Sequence, residues 1–343
     1  MIIVFKTDAS RAQIEEVKQH IVELGYEPRV IQGVERTVIG AVGDELSHRS
    51  LEILREMPCV ENVIPIQKRY KLVTRAYHLQ DTVVDIGGNK LGGGHFQVIA
   101  GPCAMESAEQ FHQAVKDLVN VGVRIIRGMA FKPRTSPYDF QGLGTQALDI
   151  LRQAKKEFGV AIVTEILGSD QIAPVADVAD MLQIGARNAQ NYHLLEEVAK
   201  AGKPVLLKRG LATTIEEWLS SAEYLMVNGC SQVVLCERGI RTFEKAMRNT
   251  LDLGAIAFVR EETHLPVIAD PSHAGGVKRL VLPLAKAAIA VGADGLIIEA
   301  HPDPTNALSD AAQQLDSATF AQALAELRPW VTLAGRHLEA EAG

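Results

Sequence analysis

Cysteine is scarce: four residues, Cys59, Cys103, Cys230 and Cys236, are scattered through 343 positions, and no two form a CxxC pair. No secretory leader opens the chain either, so a disulfide framework is not expected and a reducing cytoplasm is. Basic charge is not in excess. With a net charge of −7 and an isoelectric point of about 5.8, the chain lacks the global electrostatics of a nucleic-acid binder. Long uncharged apolar runs are also missing. The most apolar late stretch, VLPLAKAAIAVGADGLIIEA, contains Lys286 and Asp294, which argues against a membrane span. No GxGxxG follows a strand-like run, which removes the main motif of a doubly wound dinucleotide fold. What remains is 47% hydrophobic and 22% charged, a balance that supports a globular core in one large domain or a large and a small one.

From Met1 to Val73 the periodicity reads strand (IIVFK), helix (SRAQIEEVKQHIVEL), strand (EPRVIQ), strand (RTVIGAVG), helix (HRSLEILREM) and strand (VENVIPIQ). That order predicts a ferredoxin-like βαββαβ domain over residues 1–73. Residues 74–95, with Gly87, Gly88, Gly92, Gly93 and Gly94, read as a linker and barrel-closing segment ending in a turn or hairpin. Strand-like and helical runs then alternate. The strands are FQVIAGPC, RIIRG, AIVTEI, MLQIGA, PVLLKRG, VVLCERG, PVIADPS and GLIIEAH, with a mean step of about 28 residues between their ends, the length of a βα unit. Eight such units predict an α/β fold whose residues 96–335 form a (β/α)8 TIM barrel, with 336–343 as a C-terminal tail.

Three of these runs end in metal-binding residue types: Cys103, His273 and Glu299. A parallel barrel collects the carboxyl ends of its strands at one rim, so residues 196 positions apart can share an ion. Cys103 alone reads as a small buried hydrophobe, but the three strand-terminal positions together outweigh that reading. Asp310, in the loop HPDPTNALSD, is the fourth candidate, and Asp270 and His301 are neighbours that compete for the role. A thiolate, an imidazole and two carboxylates suit Mn, Fe, Co or Zn, whereas calcium and magnesium prefer oxygen alone. The same rim is rich in cations: Arg127, Arg187, Lys208, Arg209 and Arg238 at strand ends, with Lys132 and Arg134 in the run KPRTSPYDFQG, which also offers the hydroxyls of Thr135 and Ser136. Any one of them reads equally well as a surface ion pair; as a set in an acidic protein they call for phosphate or carboxylate ligands. Glu165 and Glu237 add acids at the same level.

At GPC (101–103), KPRTSPYDFQGLG (132–144), IGARNAQN (184–191), LLKRG (206–210), CERGIRTFEKAMRNTLD (236–252), DPSHAGG (270–276) and IEAHPDP (298–304), the chain resembles the 3-deoxy-D-arabino-heptulosonate 7-phosphate (DAHP) synthases of the type I beta subgroup. The resemblance spans nearly the full length. It implies a metal-dependent condensation of phosphoenolpyruvate with erythrose 4-phosphate that releases phosphate, the first step of the shikimate pathway. Carried onto this sequence, the metal ligands are Cys103, His273, Glu299 and Asp310. Arg127, Lys132, Arg187, Lys208 and Arg238 hold phosphoenolpyruvate, while Arg134 and Thr135 help hold the phosphate end of the sugar, and Ser136 is a further substrate-binding candidate. Lys132, Glu165, Lys208 and His273 are the candidates for catalytic roles. The resemblance also implies a homotetramer and an N-terminal domain that binds tyrosine or phenylalanine as a feedback inhibitor; stabilisation of an oligomer alone is the equal alternative for that domain. The nearest rival enzyme condenses arabinose 5-phosphate and usually carries KANRS where this chain has KPRTS, and a non-catalytic sugar-phosphate sensor is the rival from another class.

Overall fold

Ser10 opens the first helix. Its hydroxyl accepts from Gln13 N, and the Gln13 side chain accepts from Ser10 N, so two of the orphan donors at the helix start are satisfied reciprocally. This helix, α1 (Arg11–Glu23), lies in the first of two units, Met1–Arg69 and Tyr70–Gly343. The computed structural model describes residues 1–32, 37–43, 49–64, 68–134 and 136–338. In the first unit β1 (Ile2–Phe5), β2 (Glu27–Gln32), β3 (Thr37–Val42) and β4 (Val60–Ile64) form an antiparallel sheet in the order β2-β3-β1-β4, the split arrangement of a ferredoxin-like domain. Ile3, Phe5, Val17, Ile21, Ile39 and Leu54 lie at its core. The second expected α-helix is corrected to a short 3-10 helix, Leu51–Glu56. Pro58 disfavours α geometry at Met57, which adopts an extended ψ of 128 and ends the turn.

The second unit begins with a hairpin, β5 (Val84–Ile86) and β6 (Asn89–Leu91). Its two-residue turn requires positive φ at both positions, and Gly87 (φ 58) and Gly88 (φ 89) supply it. Eight parallel strands follow: β7 (His95–Gly101), β8 (Ile125–Arg127), β9 (Ala161–Ile166), β10 (Met181–Ile184), β11 (Val205–Lys208), β12 (Val233–Glu237), β13 (Val267–Ala269) and β14 (Gly295–Glu299). Each pairs with the next, and β14 closes on β7 in the register Ile297↔Ile99, so the expected barrel forms. Helices α2 (Ala108–Asn120) to α10 (Ser317–Leu333) surround it. One apolar cluster packs sheet against helices; Leu182, Trp218, Leu296 and Phe320 belong to it. A second fills the interior and includes Ile99, Ile125, Leu206 and Ile297 together with Val84, Ile86 and Leu91 of the hairpin. The hairpin therefore plugs the lower end of the barrel, the end away from the carboxyl ends of the strands. Among the described residues no helix is long and apolar enough to cross a membrane.

Candidate metal centre and anion-binding cavity

Successive residues of a strand face opposite sides, and this rule selects which side chains meet inside. Ile125, Val163, Met181, Leu206, Cys236, Ile268 and Ile297 belong to the apolar interior. Two positions further along each strand come Arg127, Glu165, Gln183, Lys208, Arg238, Asp270 and Glu299, none more than 6% exposed. Above them opens a cavity of about 240 Å³, and seven of its fifteen lining residues are cationic: Arg127, Lys132, Arg134, Arg187, Lys208, Arg238 and Arg248. Four of the seven, Arg127, Lys132, Lys208 and Arg238, are buried, and such a concentration of positive charge is a site for anions. Arg127 carries the clearest sign, since its Nε and Nη1 are buried without a hydrogen-bond partner among the described residues.

At one side of the cavity Cys103, His273, Glu299 and Asp310 each offer a donor atom, all within 4.8 Å of one another. Cys103 Sγ lies 3.1 Å from Asp310 Oδ2, and His273 Nε2 lies 3.3 Å from Glu299 Oε1 and 3.9 Å from Asp310 Oδ2. His273 sits on α8 (Pro271–Gly275), which starts with Asp270 as cap and Pro271 in the first turn. Asp270 Oδ1 accepts from His273 N at 3.0 Å, and its Oδ2 meets His273 Nδ1 at 2.7 Å. A carboxylate only accepts, so Nδ1 carries the proton and Nε2 turns its lone pair towards Glu299 and Asp310. Burial pushes the imidazole down to about 4, which keeps it neutral, the form that ligates a metal.

Burial, reinforced by Glu299, pushes the Cys103 thiol up to about 12, so an ion bound there displaces its proton. Lys132 Nζ is 3.1 Å from Cys103 Sγ and donates to Cys103 O at 2.9 Å. Asp310 is the one non-glycine among the described residues with positive φ, at 50, a strain that an aspartate tolerates better than most side chains. Burial opposes its ionisation, but Arg248, with Nη1 at 3.2 Å from Oδ1, together with His273, the Cys103 thiol and Lys132 outweighs that and holds the carboxyl well below its usual range.

The donor set fits a borderline divalent ion. Glu299 Oε1 is buried and has no hydrogen-bond partner among the described residues; Arg127 Nη2, at 3.1 Å, is within ion-pair distance but is not aligned to donate. An acceptor oxygen facing the lone pair of His273 Nε2 across 3.3 Å is an arrangement that an intervening cation relieves.

Of the residues read from sequence, the structure brings Arg127, Lys132, Arg134, Glu165, Arg187, Lys208, Arg238, His273 and Asp310 to the cavity lining, with Cys103 and Glu299 in the donor cluster. Ser136 is not among the lining residues, and its hydroxyl accepts from Tyr138 N at 3.3 Å. Thr135 lies outside the described residues. Arg209, expected at the rim, is instead bound to Glu237 and Asp252 at 3.0 and 2.9 Å, because it occupies the opposite strand phase from Lys208. His301 accepts from Asp303 N at 2.9 Å and lies outside the donor cluster. Gln183, Arg248 and Asp139 line the cavity although sequence reasoning did not select them. Counting two residues on from Met181 would have found Gln183; Arg248 and Asp139 lie in loops and gave no such signal. Asp270, read only as a competing ligand, holds both His273 and Lys208, the latter at 2.6 Å.

Comparison with known proteins identifies the family of the chain. Residues 77–332 match the DAHP synthetase I family, and residues 1–68 match the DAHP synthase ferredoxin-like domain. Phospho-2-dehydro-3-deoxyheptonate aldolase of Thermotoga maritima is 48% identical over 328 residues, covering 96% of this chain and 97% of the relative. A crystal structure of that name (DAHP synthase), also from Thermotoga maritima, superposes with a TM-score of 0.93 at 47% identity over 98% of this chain and 99% of the other. A 2-dehydro-3-deoxyphosphooctonate aldolase of Magnetococcus marinus is 33% identical over 250 residues, 67% of this chain and 86% of the relative. The chain belongs to the DAHP synthetase I family and carries that family's ferredoxin-like domain at its N-terminal end.

Proposed function

We propose that this enzyme joins C3 of phosphoenolpyruvate to the aldehyde carbon of erythrose 4-phosphate, adds water at C2 and releases inorganic phosphate by carbon–oxygen cleavage. The observation that carries the reading is a cationic cavity bordered by a four-donor cluster of sulfur, nitrogen and oxygen. Two anionic substrates need that much positive charge, and the aldehyde needs polarising because C3 of an enol phosphate is a weak nucleophile. A divalent ion held by Cys103, His273, Glu299 and Asp310 would supply Lewis acidity towards the aldehyde oxygen.

The remaining work falls to side chains. Arg127 directs its two unpartnered nitrogens at the phosphoenolpyruvate carboxylate or phosphate, and Lys208, Arg187 and Arg238 complete the clamp. Asp270 fixes the Lys208 ammonium at 2.6 Å. Lys132, beside Cys103 Sγ, delivers a proton to the nascent hydroxyl oxygen. Glu165, fixed by Gln183 Nε2 at 2.8 Å, takes a proton from the water that adds to C2. Gly185 leaves room for that carboxylate, as a Cβ there would fall 2.0 Å from Glu165 Oε1. Arg134 and Arg248, nearer the mouth, bind the phosphate of the sugar.

The match at residues 1–68 to the ferredoxin-like domain favours a regulatory role for the first unit, with tyrosine or phenylalanine as effector. Aromatic inhibition that survives in a chain starting at Thr74 would overturn that assignment. For the catalytic reading, phosphate release is measured with erythrose 4-phosphate and with arabinose 5-phosphate, before and after chelation. Release with the four-carbon sugar, abolished by chelator and restored by Mn(II) or Co(II), is expected. No release with either sugar would overturn the proposal, and preference for the five-carbon sugar would move the chain to the octulosonate reaction.

A further inference from the structure

Glu299 has two carboxylate oxygens, and their surroundings differ. Oε1 faces His273 Nε2 at 3.3 Å, whereas Oε2 accepts from Gln313 Nε2 at 2.5 Å. Gln313 is 2% exposed, and its other end is also fixed, since Arg248 Nη1 donates to Gln313 Oε1 at 2.8 Å. The orientation of the amide is not ambiguous. Reversed, it would set its oxygen against the Glu299 carboxylate and its NH2 against the Arg248 guanidinium, two repulsive contacts in place of two attractive ones. The same Arg248 nitrogen lies 3.2 Å from Asp310 Oδ1, so one guanidinium ties the Glu299 support to a second acidic donor. The next residue, Gln314, accepts from Cys103 N at 2.9 Å and donates to Ser309 O at 2.7 Å. The segment that supplies Asp310 therefore also braces Glu299 and Cys103.

We infer that Gln313 is a positioning residue that occupies Glu299 Oε2 and restricts Glu299 to one-oxygen ligation through Oε1. This rests on the reading of the four donors as a metal site. A glutamine is suited to the role because it donates to the carboxylate without adding charge, which a lysine or a glutamate at this buried position would do. With Oε2 released, Glu299 is free to swing and ligate through both oxygens, which takes up a coordination position otherwise open to substrate. Supports of this kind typically change metal affinity by about 10–100-fold when removed.

The test uses the full chain, stripped by chelation and titrated with Co(II) alone, whose visible absorption per ion weakens as coordination number rises and whose near-ultraviolet sulfur-to-cobalt band reports Cys103. Gln313→Met is expected to bind Co(II) about 10–100-fold more weakly, with a weaker visible spectrum and a retained sulfur band. Gln313→Asn, which keeps a buried amide but cannot span the same distance, is expected to change in the same direction and decides the matter if the Met variant fails to fold. An affinity and spectrum equal to those of the unaltered chain in the folded variants would overturn the proposal alone. Failure of the unaltered chain to take up Co(II) with a sulfur band would overturn the metal reading and this inference together.

Discussion

The lower and upper halves of the barrel interior are built from the same strands, two residues apart, and have opposite chemistry. Ile125, Val163, Met181, Leu206, Cys236, Ile268 and Ile297 fill the lower half with the plugging hairpin. Arg127, Glu165, Gln183, Lys208, Arg238, Asp270 and Glu299 line the upper half, equally buried. The lower layer gains from leaving water, whereas each charge above loses hydration and must be held by a partner such as Asp270 on Lys208. One half thus provides stability and the other provides function, and substitutions in the two should separate those properties.

The largest separation is expected from Cys103→Ala. If Cys103 ligates the ion as proposed, its loss removes several kcal/mol of charge stabilisation, so kcat should fall by about a thousandfold or more, with a melting temperature close to that of the unaltered chain. Thermal unfolding beside a phosphate-release assay checks both halves of that statement. Ile268→Ala, two residues below Asp270, should do the reverse. The buried cavity is expected to cost about 2–5 kcal/mol and lower the melting temperature by about 5–20 °C, while kcat of the folded enzyme changes far less than in the cysteine variant.

A smaller effect sharpens the contrast from the side of protonation. Because burial holds the Cys103 thiol protonated at neutral pH, with its value pushed up to about 12, a bound ion must release that proton. Metal affinity should therefore rise with pH by up to about tenfold per unit, and calorimetry in buffers of different ionisation enthalpy should count about one proton released per ion. A pH-independent affinity would contradict the buried-thiol picture. The smallest expected change is in the plug. Gly88→Ala meets no steric neighbour but places a Cβ at φ 89, so a loss of about 1 kcal/mol without a change in KM is expected from the backbone alone.

Much of this architecture was legible before any coordinates. The eight barrel strands announce themselves as apolar runs because both faces of a parallel sheet are buried, and Cys103, His273 and Glu299 stand out because metal-binding residue types end three of those runs. Phase was less visible. Lys208 and Arg209, or Glu237 and Arg238, look alike as charged strand ends, yet Arg209 and Glu237 pair with each other while Lys208 and Arg238 line the cavity. Only counting by twos from the interior apolar residues separates them. Gln313 gave no signal, since a neutral amide in a loop earns attention only once its two hydrogen-bond partners are known. The apolar spacing before Pro58 fits α and 3-10 geometry alike over so short a length, so it does not distinguish the 3-10 helix that forms.

The glycine hairpin at the foot of the barrel makes the tube blind. Whatever enters must leave by the mouth it came through, and a molecule seated against Arg127, 1% exposed at the bottom of the cavity, is trapped behind any second one resting on Arg134 and Arg248. For the two substrates proposed above, traffic would then be first in, last out, with the enol phosphate loading ahead of the sugar.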